Sequence, residues 1–214
     1  MRKSGCRGAL FDLDGTLVDS VGVWARIDRE FLARRGIVVP DDYLAAVCSK
    51  RFSEAAVYTV ERFGLSDTVE GLCVEWLEMA RHEYASRVRM IPGAERHLRR
   101  LASCGVKLGT VTGLPRALLE AVLKGNGVYD LFESHTSADE ALRGKEFPDV
   151  YVLAARKMGL LPQECTVYED VPVCAASALA AGARVRAICL PGREGRWAEF
   201  AGRVELFCSY DELE

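Results

Sequence analysis

No apolar run in the chain reaches the roughly 18–20 residues that a membrane-spanning helix needs. Its first residues, MRKSGCRGALFDLD, return to charge before the apolar core of a secretory signal could form. A membrane partner is therefore not expected, and a cytoplasmic location is. Charge of one sign is also missing. A net charge of −3 over 214 residues gives no general attraction to nucleic acid or to an anionic surface. No Cys-x-x-Cys pair occurs among the eight cysteines at 6, 48, 73, 104, 165, 174, 189 and 208, so they are not read as zinc ligands or a redox couple. Without a secretion signal to favour disulfides, buried free thiols are expected. Repeats and low-complexity tracts are absent. What remains is half hydrophobic, enough for one large domain or one ordinary domain with a small insert.

Short apolar runs alternate with helical patterns over much of the chain. Strands are expected at 7–12 (RGALFD), 106–111 (VKLGTV), 165–169 (CTVYE) and 184–190 (RVRAICL). A weaker strand begins near Leu131, and 203–210 supplies a possible last one. Helices are expected from Pro115 to Lys124, over 148–158 between Pro148 and Gly159, and in the Ala-rich segment after residue 170. Strands alternating with helices indicate an α/β fold, a parallel sheet covered on both faces. Residues 18–90 break this rhythm. They give helical patterns at 20–35 (Val23, Ile27 and Phe31 at four-residue spacing), 41–48, 53–63 and 67–86, punctuated by Gly36, Pro40, Gly64 and Ser66. The expected division is a core of 1–17 with 90–214, and an all-helical insert of 18–89.

The chemistry concentrates where strands end. In FDLDGTLVDS, Asp12 and Asp14 follow the first strand, and Gly15 suggests a tight turn that separates their roles. A second pair, Glu169-Asp170, ends the strand 165–169. Ligands of open parallel sheets bind outside the carboxyl ends of the strands, so the two pairs form one oxygen-rich site, better suited to Mg²⁺ than to zinc. Either pair alone would serve equally as a helix cap or a solvated turn. Thr112 in TVTG offers a hydroxyl, and Gly113 a backbone N–H, to a phosphate oxygen. Lys145, before the helix at 148, could neutralise a phosphate and a nearby Asp.

These residues carry a resemblance. FDLDGTLVDS, TVTG, GKEFPDVY and TVYEDVPVCAASALAAG resemble, in order, the four motifs of the haloacid dehalogenase-like superfamily of phosphotransferases, in its branch of phosphoglycolate-phosphatase-like and β-phosphoglucomutase-like members. The resemblance implies a Rossmann-like core with a mobile helical cap, and a Mg²⁺-dependent phosphatase of a small phosphorylated metabolite. By resemblance, Asp12 is the nucleophile that forms an aspartyl-phosphate, and Asp14 is the general acid and then the base. Mg²⁺ is held by the Asp12 side chain, the Asp14 backbone carbonyl and Asp170, with Glu169 assisting directly or through a water. Thr112, Gly113 and Lys145 hold the transferring oxygens. The third motif departs from the family in Glu146, where Pro is usual, and the fourth in Val171 and Cys174. These departures bear on the fine geometry around the metal.

A sugar-phosphate mutase shares this core and differs chiefly in the cap. The β-phosphoglucomutase branch carries a histidine on the first cap helix, and the corresponding position here is Trp24. The three histidines, His82, His97 and His135, stand elsewhere, so the phosphatase reading is preferred over a mutase, a non-catalytic module or a dehalogenase. Substrate choice is assigned to the cap. The segment Val23-Trp24-Ala25-Arg26-Ile27-Asp28 and the next loop, Ser49-Lys50-Arg51-Phe52-Ser53, carry the candidate contacts, Trp24, Lys50 and Arg51 foremost. A monomer is expected.

Overall fold

The computed structural model describes residues 6–20, 22–47, 50–189 and 194–213. In chain order the elements are β1 (Gly8–Phe11), β2 (Val18–Asp19), α1 (Val23–Ala33), α2 (Tyr43–Val47), α3 (Phe52–Phe63), α4 (Val69–Ser86), β3 (Arg89–Met90) and α5 (Ala94–Ser103). Then come β4 (Lys107–Thr112), α6 (Arg116–Gly125), β5 (Ser134–Ser137), α7 (Asp149–Lys157), β6 (Cys165–Glu169), α8 (Pro172–Ala180), β7 (Arg184–Ile188) and β8 (Val204–Phe207).

Six strands pair in parallel in the order β5-β4-β1-β6-β7-β8. The first strand is central because it is apolar on both faces. Ala9 and Phe11 enter one hydrophobic cluster, while Leu10 enters the other on the opposite face of the sheet. From β1 the chain builds outward through β4 and β5, then returns to β6 on the other side. The order therefore reverses at β1, and the crevice at its carboxyl end is the natural ligand site. Phe11 stands opposite both Thr110 and Tyr168, so the ends of β1, β4 and β6 reach about the same level.

Three features differ from the sequence reading. The strand expected from Leu131 starts three residues later and consists of buried polar residues, Ser134-His135-Thr136-Ser137. Helix α5 was not anticipated, nor was the antiparallel β2–β3 ribbon, whose two-residue strands are too short for any periodicity. The cysteines divide more than expected. Cys165, Cys174 and Cys189 are buried, but Cys104 and Cys208 are exposed because they stand in turns after α5 and β8; Cys48 lies outside the described residues. None of the seven described cysteines is joined in a disulfide. Among the described residues no helix is long and apolar enough to cross a membrane.

The ribbon brackets helices α1–α4, and a second anchor fixes the last of them. Asn126, just past α6, accepts from the Met90 N–H at 3.2 Å and donates to the Val88 carbonyl at 3.1 Å. At Gly125 the backbones of α6 and α4 approach so closely that an added Cβ would lie 2.6 Å from the Ala85 carbonyl oxygen. An alanine in a helix normally stabilises relative to glycine. Here the clash is with backbone, which cannot swing aside, so Gly125→Ala is expected to destabilise by about 1–3 kcal/mol, the usual cost of overpacking. Urea unfolding measures it; a neutral or stabilising change would show that α4 and α6 are free to part.

Candidate active site

The chain leaves β1 at Phe11, and the Asp12 N–H still bonds to the Tyr168 carbonyl of β6 at 3.0 Å. That bond holds Asp12 beside the end of β6, where Glu169 and Asp170 follow. Between them lies the Lys145 ammonium, brought in by the loop between β5 and α7. It donates to Asp12 Oδ1 at 2.5 Å and lies 2.5 Å from Glu169 Oε1. All three residues are almost fully buried. Glu169 is further held by the Tyr151 hydroxyl at 3.0 Å and by the Asp170 N–H at 3.3 Å. The Thr16 hydroxyl donates to Asp170 Oδ1 at 3.5 Å.

Gly15 makes this packing possible. Its φ of +79° is in the left-handed region, and a Cβ there would lie 2.5 Å from Asp170 Oδ2. The turn that it forms also sends the two acids of the first motif in different directions. Asp12 joins Glu169 and Asp170, whose ligating oxygens can all lie within 4.8 Å of one another. Asp14 instead meets α4, where the Tyr84 hydroxyl donates to its Oδ1 at 2.7 Å.

The electrostatics follow from burial. Desolvation pushes the Asp14 carboxyl up to about 6, against hydrogen bonds from Ser20 and Tyr84 that favour its charge. Desolvation likewise raises Glu169 to about 7, with Lys145 pulling the other way. Asp170 is pushed well above the carboxylate range by burial and by the neighbouring Asp12 and Glu169 charges. Burial also works against the Lys145 charge, but Asp12 and Glu169 outweigh it and hold the ammonium firmly protonated.

A cavity of about 310 Å³ opens above this cluster. Asp12, Asp14, Thr112, Gly113, Lys145 and Asp170 face it from the sheet, and Trp24 and Lys50 from the helical insert. Thr112 Oγ1 accepts the Leu114 N–H at 3.1 Å, which leaves its own hydrogen free to donate. Glu169 lies beneath the cavity floor, fully buried, with Lys145 and Tyr151 bound to it. Arg51 does not line the cavity. Its guanidinium turns toward the β5–α7 loop, bonding the Ala141 and Leu142 carbonyls at 3.3 and 3.2 Å and pairing with Glu54. Ser49 lies outside the described residues. Of the departures in the third and fourth motifs, Val171 lines the cavity beside Asp170, Cys174 is buried at the start of α8, and Glu146 carries a buried oxygen without a partner among the described residues.

Reading the sequence missed Tyr84 and Tyr151, which hold Asp14 and Glu169, and Trp76, which lines the cavity together with Asp28 of the candidate segment 23–28. Tyr84 and Trp76 belong to the series Leu72, Trp76, Ala80, Tyr84, buried at four-residue spacing on α4. That pattern is indistinguishable from a core stripe. None of the three histidines lines the cavity. His97 is buried against Tyr168 and His135 stacks on Tyr129, while His82 stands on an exposed helix face.

Residues 6–182 match the model of the haloacid dehalogenase-like hydrolases. Hexitol phosphatase A from Escherichia coli (strain K12) is 33% identical over 198 residues, covering 91% of this chain and 88% of its own. Validoxylamine A 7'-phosphate phosphatase from Streptomyces hygroscopicus subsp. limoneus is 33% identical over 178 residues, 81% of each chain. The crystal structure of CbbY from Rhodobacter sphaeroides in complex with phosphate superposes with a TM-score of 0.83 over 97% of this chain and 96% of that one, at 23% identity, a likeness of fold. The acids and lysine at the sheet switch point, together with a match across most of the chain, place the protein in the haloacid dehalogenase-like hydrolase family.

Proposed function

We propose that the protein is a Mg²⁺-dependent phosphatase of small phosphomonoesters that works through an aspartyl-phosphate on Asp12. The observation that carries this reading is the Lys145 ammonium bound to both Asp12 and Glu169 at the floor of the cavity. It fixes one carboxylate oxygen of Asp12 and leaves the other to attack. Two relatives at 33% identity that are themselves phosphatases support it.

Asp12 Oδ2 would attack phosphorus as the bond to the leaving oxygen breaks. Thr112 and the Gly113 N–H would donate to the transferring oxygens, as would the one ammonium hydrogen that Lys145 does not spend on Asp12 and Glu169. Asp14 stands apart from the charge cluster and on the insert side. A carboxyl raised to about 6 can carry a proton near neutral pH, give it to the leaving oxygen, and then take one from the water that hydrolyses the intermediate. Tyr84 would position Asp14 for both steps.

The donor set fits a hard divalent cation. Three carboxylates converge on one ammonium, and the elevated Asp170 carboxyl marks a cluster short of positive charge. Asp12, Asp170 and the Asp14 carbonyl would hold Mg²⁺, with Glu169 acting mainly by orienting Lys145, since Lys145, Tyr151 and the Asp170 N–H already engage its oxygens. The cation would supply the charge neutralisation that lets an anionic nucleophile approach an anionic phosphate. Residues 18–89 would be the cap that closes over the leaving group and excludes water during the first transfer.

Replacing Asp12 by Asn keeps the shape and removes the nucleophile. Hydrolysis of p-nitrophenyl phosphate is expected to fall by about a thousandfold or more, and a variant with near-normal turnover would rule out the covalent route. In Asp170→Asn, the Mg²⁺ concentration for half-maximal rate should rise by about tenfold or more, roughly 1.4 kcal/mol of binding. Unchanged Mg²⁺ dependence in that variant would remove Asp170 from the metal site.

A further inference from the structure

On the insert side the cavity holds a carboxyl that no described residue satisfies. Asp28 lies one turn along α1 from Trp24, lines the cavity, and is only 3% exposed. Among the described residues it has no hydrogen-bond or ion-pair partner, and burial alone pushes it up to about 7. The Tyr43 hydroxyl, which feels the Asp28 charge, is committed elsewhere. Thr59 gives its hydrogen to the Ala55 carbonyl at 2.7 Å, so the 2.7 Å contact between Tyr43 and Thr59 uses the hydrogen of Tyr43.

Trp76, on α4, presents the complementary case. It lines the same cavity and is 3% exposed, and its indole N–H is buried with no acceptor among the described residues. An unsatisfied buried donor and an unsatisfied buried acid both destabilise the folded chain, and leucine or phenylalanine would fill the same space without that cost. Both residues line a cavity whose opposite wall is the phosphoryl floor of the proposed phosphatase, where the leaving group of a bound ester would lie.

The chemistry of the occupant follows from the pair. Asp28 needs a donor and Trp76 an acceptor, and a hydroxyl is both at once. A second phosphate or a carboxylate would be repelled by Asp28. An ammonium would meet Lys50, which lines the same cavity. Between them, the rings of Trp24 and Phe52, 5.9 Å apart, offer an apolar wall to the carbon chain. We propose that Asp28 and Trp76 form a hydroxyl-reading subsite in the cap, so that the protein selects monophosphates of polyhydroxylated carbon chains. The proposal rests on the phosphatase reading for where the phosphate lies.

Binding in an Asp12→Asn background tests it independently of turnover. By calorimetry with Mg²⁺ present, glucitol 6-phosphate should bind more tightly than hexyl phosphate and than 2-amino-2-deoxyglucitol 6-phosphate. Asp28→Asn and Trp76→Phe should each weaken glucitol 6-phosphate by about tenfold or more relative to hexyl phosphate. Asp28→Asn should also hold or raise Tm, because it removes a buried charge. If the pattern appears but the parent protein hydrolyses no phosphomonoester, the subsite stands and the phosphatase reading falls. Equal losses for both ligands, tighter binding of the hexyl or amino ligand, or a fall of several degrees in Tm for Asp28→Asn would overturn the subsite.

Discussion

Charge compensation at the switch point of the sheet governs this molecule. Asp12, Glu169 and Asp170 are brought together by two parallel strands that end at the same level, and like charges at such distances do not coexist in a low-dielectric site unaided. The Lys145 ammonium answers two of them at 2.5 Å each. Much of the surrounding structure serves that contact. Tyr151 on α7 and the Asp170 N–H fix the far carboxylate, the bond from Asp12 N–H to β6 fixes the near one, and Gly15 allows the turn to lie against Asp170. Removing one partner of such a buried pair strands the other, so the lysine is as much a condition of the fold around the site as of its chemistry.

The insert is held just as specifically. Asn126 clasps the chain on either side of Arg89, Gly125 lets α4 settle on α6, and Arg51 reaches the carbonyls of the β5–α7 loop, the loop that also delivers Lys145. Tyr84 completes the link by bonding Asp14 from the insert side. Seating of α1–α4 thus bears directly on the orientation of Asp14, the carboxyl to which the proposed function gives protonation of the leaving group.

Legibility in the sequence followed physical contrast. Asp12, Asp14, Glu169 and Asp170 could be placed because each pair interrupts an apolar strand, and the strands themselves are short apolar runs. Strand β5 was nearly invisible because its residues are polar although buried; Ser137 bonds the Leu114 carbonyl, while the Ser134 and Thr136 hydroxyls have no partner among the described residues. Tyr84 and Trp76 sit on an amphipathic helix at core spacing, where a residue facing a cavity and one facing a packed interior obey the same period. Lys50 and Arg51 are adjacent in one loop, yet one lines the cavity and the other latches the insert to the core. Only the docking of the insert decides between them.

The central claim is the covalent intermediate on Asp12, and it can be trapped. An aryl leaving group departs with little help from an acid, whereas hydrolysis of the acyl phosphate needs a base, so Asp14→Asn should load from p-nitrophenyl phosphate and Mg²⁺ but release slowly. Acid quenching, digestion and mass spectrometry should then find one phosphoryl group on the peptide carrying Asp12, removable by hydroxylamine as an acyl phosphate must be. A phosphoryl group on another residue, or none while nitrophenol is released in a burst, would contradict the account.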